Sequence, residues 1–96
     1  MTDDLDALRA EIDALDREIV DLLNRRARLG LRAARAKVGR GRPIVDLERE
    51  RDVLIRVAMA NDGPIPQDAL LALYRKIMDT TTRLEEIETS GPKPAQ

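Results

Sequence analysis

Leu5, Leu8, Ile12, Leu15, Ile19 and Leu22 recur at intervals of three and four, and the series continues through Arg26, Leu29, Ala33 and Ala36. That spacing lines side chains up on one stripe of an α-helix. From Asp4 to Val38 there is no proline and only Gly30 among the glycines, so the pattern predicts one helix of about 35 residues, ending at Gly39 or Gly41 before Pro43. A short loop, V-G-R-G-R-P-I-V (38–45), leads to a second predicted helix from Asp46 to about Ala60, with Leu47, Glu50, Leu54 and Val57 on its stripe. The string N-D-G-P-I-P (61–66) is a dense turn signal. A third helix is expected from about Gln67 to Glu88, on Leu70, Leu73 or Tyr74, Ile77, Thr81 and Leu84. The fold class expected is therefore all-α, a three-helix chain with one very long N-terminal helix. Residues 1–88 form its domain, and the polar, Pro/Gly-rich residues 89–96 are expected to be a disordered tail.

The first helix is too long for its domain. At 1.5 Å per residue it spans about 50 Å, whereas a compact globule of this chain length is roughly 30 Å across. A second chain is expected to cover the overhanging stripe, and a two-fold homodimer is the commonest closed arrangement.

Two charges occupy leucine positions. Arg26 interrupts the first stripe and should point into the core, while Glu50 interrupts the second. An unpaired buried charge costs several kcal/mol, against a total stability of roughly 5–15 kcal/mol for a domain. Lys37 lies eleven residues after Arg26, on the same side of the helix; Asp46 and Glu50 are one turn apart with Arg49 beside them; Thr81 and Glu85 repeat that spacing near the third seam. Taken singly, each has a plain explanation. Arg26 can snorkel or pair with Glu50, Asp46 can cap the second helix, and Lys37 suits a helix C-terminus, while Arg9 reads as a solvated arginine. Thr81 can bond back to a carbonyl, and Glu85 can belong to an acidic helix end; Met59 and Met78 read as core filler. Three interrupted seams in one small domain exceed what structural pairing requires. Together they predict a pocket for a charged ligand between helices.

Composition narrows the chemistry. The 96 residues contain no Cys and no His, which removes thiol chemistry, the commonest general base and the commonest zinc ligand, so neither a metal nor a cofactor is expected. Tyr74 is the single aromatic, and the net charge is -1. The charge is nevertheless segregated: residues 1–24 hold eight acids against two bases, whereas residues 25–42 hold eight bases and no acid. A local electropositive field results. The basic run and R-G-R (40–42) admit a nucleic-acid reading, but stacking aromatics are missing, so no nucleic acid is expected as partner. No run approaches the roughly 20 apolar residues of a membrane span and no signal-like segment follows Met1, so a cytoplasmic protein without membrane contact is expected. A helical dimerisation module without ligand would instead predict apolar residues at positions 26 and 50.

In order and spacing, L-R-A-E-I-D-A-L-D (8–16), L-L-N-R-R (22–26), A-K (36–37) and R-P-I-V-D-L-E-R-E-R (42–51) resemble the small all-helical chorismate mutases, over about residues 5–88. The resemblance implies an intertwined homodimer with two equivalent sites. It also implies the rearrangement of chorismate to prephenate on the route to phenylalanine and tyrosine. That reaction needs no nucleophile, only restraint of a flexible dianion and stabilisation of charge on its ether oxygen. The resemblance further implies that Arg26 and Arg9 clamp the substrate carboxylates, with Arg9 contributed across chains, and that Lys37 contacts a carboxylate and the ether oxygen. Asp46 and Glu50 would orient the ring hydroxyl, Arg49 would be a further site arginine, and Thr81 would lie near a carboxylate. Lys37, Glu85 and Arg26 would be the catalytic set.

Glu85 departs from the family pattern. It falls where many members have a glutamine that donates to the ether oxygen, although some carry glutamate, and a carboxyl donates only when protonated. The neighbouring Glu86 is the alternative if the third helix is shifted by one residue. An isochorismate-pyruvate lyase shares the fold and much of the cationic set, but the intact D-x-x-R-E element favours the mutase. The resemblance also allows docking onto another enzyme of the pathway.

Overall fold

The computed structural model describes residues 4–90, which form three helices: α1 (Leu5–Gly39), α2 (Leu47–Ala60) and α3 (Gln67–Ser90). Each boundary has a local cause. Asp4 caps α1, its carboxylate accepting from the Asp6 N–H at 3.0 Å. At the other end the Arg42 N–H bonds to the Lys37 carbonyl at 2.8 Å and the Gly41 N–H to the Val38 carbonyl at 3.0 Å. This is a Schellman closure, and it needs the left-handed φ of +69° that Gly41 adopts. Asp46 caps α2, accepting from the Arg49 N–H at 3.1 Å. Between α2 and α3 the side chain of Asn61 donates to the Ile65 carbonyl and to Gln67, and Gln67 donates back to the Ala58 carbonyl. Those bonds fix the α2–α3 corner.

α3 runs two residues past the expected limit. The Thr89 hydroxyl donates to the Glu85 carbonyl and the Ser90 hydroxyl to the Ile87 carbonyl, so both residues satisfy the last turn of the helix rather than begin the tail. The remainder of that expected tail, residues 91–96, lies outside the described residues, as do residues 1–3.

α1 and α2 each pack on α3 but not on one another. The face of α1 turned to α3 carries Ala27, Gly30, Leu31 and Ala34, mostly small side chains that let the helices approach closely. This face is one residue on from the predicted stripe. Leu29 is 61% exposed, as is most of the stripe from Leu5 to Leu22, and only Ala34 (1%) and Met78 (7%) are buried among the described hydrophobic residues. Met59, expected in the core, is 80% exposed. Of the alternatives at the start of α3, Tyr74 is half-buried and Leu73 exposed.

The radius of gyration is 17.7 Å and the extents are 67 × 31 × 16 Å, against about 12.5 Å for a compact chain of this length. The accessible surface of 8194 Å² likewise exceeds the roughly 5,500 Å² of a compact monomer of this mass. One chain leaves its longest apolar stripe uncovered.

Candidate active site

Because α3 separates α1 from α2, a cleft of about 360 Å³ opens between them, within the range of small-molecule sites. Its polar lining comes from every helix: Arg26 and Lys37 on α1, Asp46, Arg49 and Glu50 at the start of α2, and Thr81, Thr82 and Glu85 on α3. Seven of the eight sequence-predicted residues thus meet in one cavity. The eighth, Arg9, does not. It is exposed and lies 17 residues before Arg26, about 25 Å along the same straight helix.

Arg26 occupies the cleft wall and not a closed core. Its guanidinium lies over the Tyr74 ring, 5.4 Å from the centroid, and Nη1 donates to Thr81 Oγ1 at 3.5 Å. The Thr81 hydroxyl is directed at the Ile77 and Met78 carbonyls, 3.1 and 3.0 Å away, which leaves its lone pairs for Arg26. Thr81 therefore holds the arginine. Pairing with Glu50 does not occur, for among the described residues the ion pair within 4 Å is the exposed Arg25–Asp21 contact at 3.8 Å. The remaining guanidinium N–H groups are left for an anion.

Lys37 is held at both ends. Its carbonyl accepts the bonds that close α1, and its ammonium donates to the Ile44 carbonyl at 3.1 Å. A lysine so fixed presents its remaining donors at a set place, with less rotamer entropy left to lose on binding. Asp46 serves both as cap and as cleft wall, since one oxygen is committed to Arg49 N–H and the residue still lines the cavity. Glu50 stands in the first turn of α2, where the helix N-terminus favours its charge.

Glu85 faces the cleft and is half-buried, whereas Glu86 is exposed. Burial pushes the Glu85 carboxyl above its ordinary value of 4.5; Lys37 and then Arg26 pull it back only in part, and Glu86 adds a small upward push. Across the cavity stand Asp46, Arg49 and Glu50. Sequence reading missed Tyr74 as the platform for Arg26, as well as Gly30, Thr82 and the apolar wall of Leu29, Ala33, Ile44, Val45 and Val53. The presence of the chain's one aromatic on the third seam was the available signal for Tyr74. The spacing places Thr81 on the stripe and Thr82 off it, so it carries no signal for Thr82. Among the described residues no group of three or more potential metal ligands is gathered, and no helix is long and apolar enough to cross a membrane.

A cationic pair on one helix, faced by carboxyl groups on two others, is a cleft for a small anion with polar substituents. A sequence model of type II chorismate mutases matches residues 8–86. The chain belongs to the type II chorismate mutase family. A chorismate mutase from Thermus thermophilus, solved in two forms, superimposes in its second form with a TM-score of 0.83 at 35% identity, over 85% of this chain and 93% of that one. The bifunctional chorismate mutase/prephenate dehydratase of Aquifex aeolicus is 38% identical over 95% of the chain but only 27% of its own length. The 4-amino-4-deoxychorismate mutase of Streptomyces venezuelae is 38% identical over 91% of the chain and 85% of its own length. The chain thus spans about a quarter of the first of these bifunctional relatives and most of the shorter ones.

Proposed function

We propose that the cleft converts chorismate to prephenate, a unimolecular rearrangement in which the ether C–O bond breaks as a C–C bond forms. The observation that carries this reading is the convergence of Arg26, Lys37 and the carboxyl of Glu85 in one helix-lined cavity. No group need attack the substrate. Arg26, steadied by Tyr74 and Thr81, takes one carboxylate through paired N–H donors. Lys37 supplies a donor to the second carboxylate region and to the ether oxygen, where negative charge grows as the C–O bond lengthens. Asp46 and Glu50 accept from the ring hydroxyl, and Arg49 offsets their charge. The apolar wall restricts the flexible substrate to a folded shape, which lowers the entropic part of the barrier.

Protonated Glu85 is the second donor to the ether oxygen in this account. The proton is favoured by burial, and a bound dianion, by neutralising Arg26 and Lys37, removes the two influences that oppose it.

The site is completed by a second copy. Arg9 lies beyond the reach of its own cleft, and the stripe from Leu5 to Leu22 is an exposed apolar face for a second chain to cover. An antiparallel pairing of two α1 helices sets the acidic half of each beside the basic half of the other and carries Arg9 to the neighbouring cleft. Membership of a cytoplasmic amino-acid pathway follows from the same reading, which also allows docking on another enzyme of it.

The similarity to an enzyme named for 4-amino-4-deoxychorismate favours that analogue as a second substrate, because Asp46 and Glu50 accept from an ammonium as readily as from a hydroxyl. Purified protein should be given chorismate, the 4-amino analogue and isochorismate in parallel, with products identified by NMR. Prephenate from chorismate at the highest kcat/KM supports the proposal. Preference for the amino analogue, or pyruvate release from isochorismate, reassigns the cleft.

A further inference from the structure

Gly30 is the residue of α1 before its closing turn that the helix itself disfavours most. Inside a 35-residue helix a glycine costs roughly 1 kcal/mol relative to alanine. The same face carries Ala27 and Ala34, and Ala34 is the most deeply buried described hydrophobic residue of the chain, so contact with α3 accepts a methyl group on either side of position 30. What occupies the space above Gly30 is specific. A Cβ built there would lie 2.7 Å from Glu85 Oε1 and 3.7 Å from its carboxyl carbon, with no other atom beyond its own helix within 4 Å. The first distance is shorter than real Cβ contacts of this kind, and the group that would have to yield is the end of a flexible side chain.

We infer that Gly30 is a positioning residue whose missing side chain seats the Glu85 carboxyl against the backbone of α1, inside the cleft. The inference rests on the reading of Glu85 given above. From this seat the carboxyl faces Arg26 and Lys37 of α1 on its own side, Glu86 on its own helix, and Asp46, Arg49 and Glu50 of α2 across the cavity. Moving it outward by about an ångström changes three things together: its burial, its distance from the two cations, and its reach to an oxygen held by Lys37. Alanine at position 30 is thus good for the helix and bad for the carboxyl.

The test is Gly30→Ala, alone and combined with Glu85→Ala. In the otherwise natural protein the substitution should raise the melting temperature and lower kcat by about tenfold to a hundredfold, the loss expected for a displacement of about 1 Å, while KM changes little. In the Glu85→Ala background the same substitution should still raise the melting temperature yet leave kcat unchanged, because no carboxyl is left to displace. An equal loss of kcat in both backgrounds would overturn the inference, since alanine would then be acting on the substrate and not on Glu85. A second readout needs no turnover: carbon-13 NMR titration of the Glu85 carboxyl should show its midpoint falling toward the ordinary glutamate value in Gly30→Ala as the group moves into solvent. An unchanged midpoint would refute the seat even in a protein that proved inactive on chorismate, whereas inactivity of the natural protein with a shifted midpoint would refute only the assigned reaction.

Discussion

The Arg26 guanidinium is stacked over Tyr74, 5.4 Å from the ring centroid, and this contact joins the charge that interrupts the first seam to the single aromatic of the chain. Thr81 adds a hydrogen bond to the same guanidinium from about two turns further along α3. Arg26 is thereby aimed without being neutralised. A cation held over a ring at a partly exposed site gains about 0.5–1 kcal/mol, so Tyr74→Leu should raise KM by roughly two- to fivefold with kcat little changed. Tyr74→Phe should behave as the natural protein, because the ring face and not the hydroxyl makes the contact. Steady-state kinetics on the two variants checks this.

Removing Arg26 itself should be far more damaging to activity than to stability. Arg26→Ala deletes a charge from a cleft wall without leaving a buried partner unpaired, so the folded assembly should persist by circular dichroism and sedimentation. Turnover should fall by a factor of about a hundred to a thousand or more, the usual effect of losing a preorganised charge donor. Arg26→Lys should recover little of it, since a lysine cannot make the paired contact. Unfolding of Arg26→Ala would mean that the arginine serves the fold.

The pH dependence follows from the raised Glu85 carboxyl. Only its protonated form donates, so kcat should be highest at acid pH and decline as pH rises through a midpoint above 4.5. Glu85→Gln, which donates at every pH, should flatten the profile. Stability shifts in the same sense: a group whose folded pKa lies above its unfolded value stabilises the fold most below the unfolded value and loses that contribution as pH rises through the folded one. Glu85→Gln should therefore melt higher than the natural protein at neutral pH, with the difference narrowing in acid. A flat natural pH–rate curve would remove the donor role of Glu85.

Sharing of Arg9 between chains is open to a complementation test. Arg9→Ala and Arg26→Ala should each be nearly inactive, but a heterodimer of the two places both changes in one cleft and leaves the other intact. Random mixing makes half of the dimers hetero, so an equimolar mixture should regain about a quarter of natural activity after exchange of subunits through a two-fold interface. No recovery in a mixture shown to exchange would mean that Arg9 does not act across the chains.

These relationships are unequally visible in the sequence. The three helices emerge from periodicity and from Asp4, Asp46 and Gly41 acting as start and stop signals, because capping depends on neighbours within a few residues. Arg26 and Glu50 stand out because a charge on an apolar stripe is anomalous wherever the stripe packs. Which partner covers the stripe is not legible: α1 turns Ala27, Gly30 and Ala34 to α3 and leaves Leu5–Leu22 open, and periodicity alone assigns no partner to either face. Met59 is misplaced in the core for the same reason. The Arg26–Thr81 bond joins residues 55 apart in sequence, and the close approach of Glu85 to Gly30 depends on the separation of two helices, so neither is encoded in any local spacing. Thr89 and Ser90 are misread as tail because the chain-ending signal, Gly–Pro, begins just after them and their hydroxyls close the helix.

The central claim, that this cleft rearranges chorismate, is tested most directly by incubating the purified protein with chorismate and following its ultraviolet absorbance while proton NMR identifies the product. The chain has one Tyr and no Trp, so protein absorbance interferes little. Saturable loss of chorismate with prephenate as the sole product, abolished in Arg26→Ala, is the expected result; folded, dimeric protein that leaves chorismate to react only at its uncatalysed rate would contradict it.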